Sequence, residues 1–220
     1  MEFEDQIRQK LIGLNHKQLC QFAWLCGLRA LPFLSVEENF AYWRNVNRGK
    51  YLYNIFYALD FSAADVVDAA YAAYALGVAY ASGAANATSA AKSASAATNA
   101  AHADKATAYA AAYAAKAKYI NYFNLKSVLL KDIEAIKRNK LDECNHDVKI
   151  YYQLWDRFQE DLKAIGCAYW AEFYENLFNN GFVIDKRQLK RRLGVPDEIK
   201  AEGAEAVGPW AFVFGITNRR

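Results

Sequence analysis

The stretch AADVVDAAYAAYALGVAYASGAANATSAAKSASAATNAAHADKATAYAAAYAAKA, residues 63–117, decides the fold, because 28 of its 55 positions are alanine. Alanine loses no side-chain entropy on entering a helix and has the highest helix propensity of any residue. Ser62 with Asp65 fits a capping-box entrance to a first helix, and Gly83 suits its C-terminal cap. A second helix is predicted over about 84–101 and a third over about 104–122. Alanine on every face lets helices approach near the ~8 Å lower limit of ordinary packing. Tyr71, Tyr74, Tyr80, Tyr109 and Tyr113 punctuate the run and are expected to give its core bulk.

From Ala69 to Ala103 the only formal charge is Lys92. A membrane span is rejected nonetheless, because no uninterrupted apolar run reaches the ~18 residues a span requires. Ser82, Asn86, Thr88, Ser89, Ser93, Ser95, Thr98 and Asn99 interrupt it. The Ala-rich helices are therefore predicted to be central, surrounded by the rest of the chain.

The flanking sequence supplies that surround. Phe3, Ile7, Leu11 and Leu14 share one face of a short opening helix. A stronger helix is predicted from about Lys17 to Leu31, with Asn15 as N-cap, Gln18 returning the hydrogen bond and Pro32 closing it. An aromatic stretch follows from Glu37 to Phe61, expected to break near Asn47 to Gly49. After Tyr122 three amphipathic helices are marked by Leu125/Val128/Leu129/Ile133/Ile136, by Tyr151/Leu154/Trp155/Phe158/Leu162 and by Tyr169/Trp170/Phe173/Tyr174/Leu177, the last closed by Gly181. Asp185 can cap a short basic helix, and Pro196 suits the first turn of another. Gly208-Pro209 is expected to break the chain. The reading is all-α: a helical bundle with central Ala-rich helices and an aromatic amphipathic outer layer. Composition changes near residue 123, which divides an Ala-rich region, 1–122, from a C-terminal helical layer, 123–220, expected to belong to the same compact unit.

Composition excludes several classes. At 220 residues, 54% hydrophobic and 15% aromatic, the chain can bury a core and is not disordered throughout. A net charge of +3 is too small for a polyelectrolyte binder of nucleic acid. Cys20, Cys26, Cys144 and Cys167 are too few for a disulfide scaffold and read as reduced core residues. The acidic, polar start at Met1 predicts no secretory signal, and with it a cytoplasmic location.

The sequence carries no phosphate-cradling glycine loop, nucleophile elbow or zinc spacing. A non-enzyme without metal or cofactor is expected. Asp142, Glu143 and Asp147, around Cys144 and His146, form a dense set of oxygen donors, but their spacing fits no hard-metal loop and favours a solvated connection. His102, in an Ala-rich setting beside Asp104 and Lys105, favours a structural hydrogen bond over a general base. Lys186, Arg187, Lys190, Arg191 and Arg192 form a basic patch. Clustered charge of this kind binds phosphate, but no aromatic residue is interleaved for base stacking, which disfavours nucleic acid. The patch reads as a solvated helix face or as a surface for an acidic protein.

Two segments resemble a known family. The first is Leu19-Cys20-Gln21-Phe22-Ala23-Trp24-Leu25-Cys26-Gly27-Leu28-Arg29-Ala30-Leu31-Pro32. The second is Ala97-Thr98-Asn99-Ala100-Ala101-His102, followed by the Tyr/Ala run from Thr107 to Ala117. In this order they resemble the Ala-rich immunity proteins of bacterial polymorphic-toxin systems, of the Imm-five type, over residues 17 to about 119. The resemblance implies a small helical protein that binds one cognate toxin and neutralises it stoichiometrically, by occluding its active site or substrate surface. The charge clusters make Lys186, Arg187, Lys190, Arg191, Asp142, Glu143 and Asp147 the expected partner contacts, in a C-terminal layer, 123–220, that the resemblance does not reach. The alternative is a helical small-molecule-binding domain or enzyme with an internal pocket lined by His102, Tyr109 and Tyr113.

Overall fold

The computed structural model describes residues 3–36, 39–64, 85–100, 104–116, 118–119, 123–144 and 149–217. Among them lie eleven α-helices: α1 (Phe3–Leu11), α2 (His16–Ala30), α3 (Asn45–Ala63), α4 (Ala85–Asn99), α5 (Asp104–Lys116), α6 (Lys126–Lys137), α7 (Lys149–Ala164), α8 (Ala168–Asn179), α9 (Lys186–Leu193), α10 (Asp197–Glu202) and α11 (Ala204–Thr217). Short 3-10 turns cover Leu31–Leu34 and Leu141–Cys144. The fold is all-α. No helix among the described residues is long and apolar enough to cross a membrane.

Helix α2 begins with the expected capping box. Asn15 Oδ1 accepts from the Gln18 amide at 3.0 Å, and Gln18 Oε1 accepts from the Asn15 amide at 3.0 Å. The Gln18 side chain then donates to Ile136 O at 3.0 Å, fastening the start of α2 to the end of α6. Twelve of the fifteen α2 residues are buried, so this helix has no solvent face of any width. Helices α4 and α5 pack against each other and both against α2, while α3 packs on α2 and α4. Gly27 lets three helices meet: a β-carbon there would lie 2.4 Å from Leu59 Cδ2 and 3.5 Å from the Ala94 α-carbon.

Close approach gives Ser93 and Thr98 of the Ala-rich run, and Ser62 just before it, their hydrogen-bond partners. Ser93 Oγ donates to Ala110 O at 2.9 Å, Thr98 Oγ1 to Ala58 O at 2.9 Å, and Ser62 Oγ to Ala97 O at 3.1 Å. All three residues are buried. A buried hydroxyl needs a partner, and here the neighbouring helix offers its backbone carbonyl.

The aromatic amphipathic helices turn their rings inward. Phe56 of α3 meets Trp170 (4.7 Å between centroids) and Tyr174 (5.3 Å) of α8, and Trp155 of α7 stacks on Phe178 at 5.3 Å. Such pairs add about 0.5–1.5 kcal/mol each beyond the area they bury. Trp170 Nε1 also donates to Ala204 O at 2.9 Å, pinning the start of α11.

Four expectations are corrected. Helix α3 runs unbroken through Asn47 to Gly49. At Gly49 the movable end of the Glu205 side chain lies over the helix backbone, its Oε2 2.0 Å from where a β-carbon would stand. Ser62 lies in the last turn of α3 rather than capping a new helix. The Ala-rich helix α5 stops at Lys116 and is followed by a short antiparallel ladder, Lys118↔Asn124 and Tyr119↔Phe123. Helix α11 continues through Pro209. Proline removes one bond, to Glu205 O, and Gly208 leaves room for Tyr169, whose Cβ would lie 2.6 Å from an added β-carbon. Asp65, Tyr71, Tyr74, Tyr80 and Gly83 lie outside the described residues.

Candidate functional site

Asp185 caps α9 as expected, its Oδ1 accepting from the Arg187 amide at 2.7 Å and more weakly from the Gln188 amide at 3.4 Å. At about 100° per residue, Lys186, Arg187, Lys190 and Arg191 fall on one arc of roughly 140°, while Leu189 and Arg192 lie on the other side. Lys186, Arg187 and Lys190 are exposed, Arg191 is half-buried, and Leu189 and Arg192 are buried. None of the four outward cations makes an ion pair or a side-chain hydrogen bond among the described residues.

Arg192 does not belong to the patch in which the sequence places it. Its Nε donates to Asp60 Oδ2 at 2.7 Å and its Nη2 to Asp60 Oδ1 at 2.8 Å. The guanidinium lies 3.8 Å from the Phe173 ring centroid and 6.0 Å from that of Trp170. Burial works against the Arg192 charge, but the Asp60 carboxylate and its hydrogen bonds outweigh this and hold the guanidinium pKa above the ordinary arginine value. Asp60 was not singled out by sequence. A signal existed: it is a carboxylate among Phe56, Tyr57 and Leu59 on a buried helix, which calls for a buried cation.

Tyr57 Oη donates to Leu193 O at 2.6 Å, closing the other end of α9 onto α3. The basic helix therefore stands on a buried ion pair, a carbonyl clamp and an N-cap. Its position is set by α3 and α8 and not by the charges it displays.

The acidic candidates sit elsewhere. Asp142 and Glu143 are exposed on the 3-10 turn Leu141–Cys144. Glu143 is already paired, with Arg138 at 2.7 Å and Lys140 at 3.8 Å. Asp142 packs its backbone on Gly181 (φ +62°), where a β-carbon would lie 3.1 Å from the Asp142 α-carbon. Asp147 lies outside the described residues. The turn is fastened from beneath by Arg29, which donates to Cys144 O. Arg29 also pairs with Asp132, at 3.1 and 3.2 Å, with both residues fully buried. Asp132 falls on the Val128/Leu129/Ile133/Ile136 stripe of α6, a second carboxylate on an apolar face that sequence reasoning passed over.

Two of the pocket candidates, Tyr109 and Tyr113, lie one turn apart on α5. Tyr109 is 42% exposed, with the Arg8 guanidinium 5.5 Å from its ring centroid. Tyr113 is half-buried, flanked by Lys92 at 5.7 Å and Lys116 at 5.1 Å. The face of α5 turned fully to the core is Ala110, Ala111, Ala114 and Ala115; Tyr113 packs half-buried against that core, while Tyr109 stands outside it. His102 lies outside the described residues.

All four cysteines are free and buried. Burial pushes the Cys26 and Cys144 thiols far above the ordinary range and Cys167 up to about 12, which keeps these three protonated and poor as nucleophiles. No group of three His, Cys, Asp or Glu side chains among the described residues is placed to hold a metal ion.

Fold and surface together define a class: an all-α bundle that displays a basic helix face on a buried mount. Comparison with protein-family models, curated proteins and solved structures finds no match.

Proposed function

We propose that this chain is an immunity protein, which neutralises a cognate bacterial toxin in the cytoplasm by binding it stoichiometrically and occluding its active site or substrate surface. The observation that carries the reading is the outward face of α9. Four cations stand there with no ion pair among the described residues, on a helix whose geometry is already set by Arg192–Asp60 and Tyr57–Leu193. A helix backbone held in advance has little further backbone entropy to lose on binding, which suits a tight inhibitor.

The resemblance supports the same reading, and its residues hold the scaffold. The Leu19–Pro32 segment is the buried helix α2 with the start of its 3-10 turn, and its Arg29 reaches Asp132 and Cys144 across the core. That segment therefore speaks to the scaffold, and partner recognition belongs to the exterior.

The test is capture of the tagged protein from its own host's lysate, with identification of what co-purifies. The expected result is a single stoichiometric protein that arrests growth when expressed alone and is silenced by co-expression of this chain. Recovery of nucleic acid or a small molecule, with no such protein, would overturn the reading.

A further inference from the structure

The charge on α9 is bounded. Asp185 is exposed at its start. Beyond Leu193 the chain turns into α10, whose first turn carries Asp197 and Glu198, both exposed. The Asp197 side chain is 92% exposed and holds Lys200 at 2.9 Å. Val183, 68% exposed, stands two residues before the α9 cap. The four cations thus form a short positive arc with carboxylates before and after it in the chain and an apolar side chain beside its cap.

That pattern separates two polyanions. A nucleic acid presents negative charge continuously along its backbone, and a basic run only six residues long, with carboxylates before and after it in the chain, offers it few phosphate contacts. An acidic patch of limited extent on a folded protein meets the arc alone and leaves the flanking carboxylates free. Exposed Val183 suits the same protein surface, since interfaces mix apolar contact with a polar rim. Arg187 and Arg191 lie one turn apart and offer planar forks for bidentate carboxylate contacts, while Lys186 and Lys190, also one turn apart, act as point charges.

We infer that Lys186, Arg187, Lys190 and Arg191 dock onto a carboxylate-rich patch of the toxin. This rests on the immunity reading and names the partner's chemistry at that surface. The cations steer encounter, so association slows as salt rises.

The experiment uses the full chain and two labelled probes, an Asp/Glu-rich helical peptide and a DNA duplex of matched net charge, followed by fluorescence anisotropy. The expected result is peptide binding that weakens at least ~tenfold when Lys186, Arg187, Lys190 and Arg191 are all changed to Gln, with the duplex bound more weakly than the peptide. Equal or tighter binding of the duplex, or a peptide affinity indifferent to the quadruple change, overturns the inference. An unchanged thermal unfolding midpoint shows that the variant is folded. Where the lysate capture yields a growth-arresting protein, carbodiimide coupling should join Lys186 or Lys190 to one of its carboxylates. A toxin neutralised equally well by the quadruple variant overturns this surface and leaves the immunity reading standing. Absence of any such toxin removes the immunity reading and this partner together, and the peptide–duplex comparison then reports only the chemistry of the arc.

Discussion

Arg192 of α9 and Asp60 of α3, 132 residues apart in the chain, form a two-bond ion pair of 2.7 and 2.8 Å with neither residue open to water. The pair joins the end of the chain to its first half, and Arg29–Asp132 does the same between α2 and α6. Removing one partner leaves a buried charge without its complement, which costs about 3–5 kcal/mol. Asp60→Ala and Arg192→Ala should each lower stability by about that amount in chemical denaturation. The double change Asp60→Leu with Arg192→Met should cost less than either single one, because no charge is stranded. Additive losses would mean that the two side chains do not interact.

The cations of α9 divide into two kinds. Changing Lys186, Arg187, Lys190 or Arg191 singly to Gln should alter stability by no more than about 0.5 kcal/mol, as is usual for surface positions away from special contacts. Arg192→Gln, in the same eight-residue helix, should cost several times more. Denaturation midpoints of the five variants, measured side by side, check the division.

Gly203 is held at φ +105°, and a β-carbon there would lie 2.7 Å from the Gly49 carbonyl carbon and 2.9 Å from the Lys50 nitrogen. Both are backbone atoms and cannot swing aside. Gly203→Ala should therefore destabilise by at least about 2 kcal/mol, combining positive-φ strain with overpacking at the junction of α10, α11 and α3. Thermal unfolding of the variant measures it, and an unchanged midpoint would refute the crossing.

Burial raises the pKa of Cys26, Cys144, Cys167 and Tyr174. Below the unfolded thiol range, about pH 8.5, both states keep these protons and the full stability is present. As pH rises further the unfolded chain releases protons that the folded chain retains, so stability falls until the folded groups ionise, at about 12 for Cys167. Urea midpoints should drop steadily from about pH 8.5 upward. At neutral pH, the labelling of Cys26, Cys144 and Cys167 by a thiol reagent should follow global unfolding. Rapid labelling of any of the three in the native protein would contradict their burial.

Much of the secondary structure was legible because its causes are local. The Asn15/Gln18 box, the Asp185 cap and the stripes of α6 and α8 depend on residues three or four positions apart. The breaks placed at Asn47–Gly49 and Gly208–Pro209 failed for the opposite reason. Glycine there serves Glu205 and Tyr169, which arrive from far along the chain, and a sequence window does not show them. The outward cations of α9 were legible as a charge run. Arg192 was misplaced with them although it shares a face with Leu189, three residues before it.

The sequence by itself determined that this protein is helical, where most of its helices start, and that its Ala-rich helices can pack closely. Helix propensity, capping and side-chain size are properties of a residue and its near neighbours. Tertiary structure alone decided which charges go inside: Arg29 with Asp132, and Arg192 with Asp60. A buried ion is tolerable only when its counter-ion arrives, and here each counter-ion lies more than a hundred residues away. The face that α9 offers to a partner is what remains after that pairing has been made.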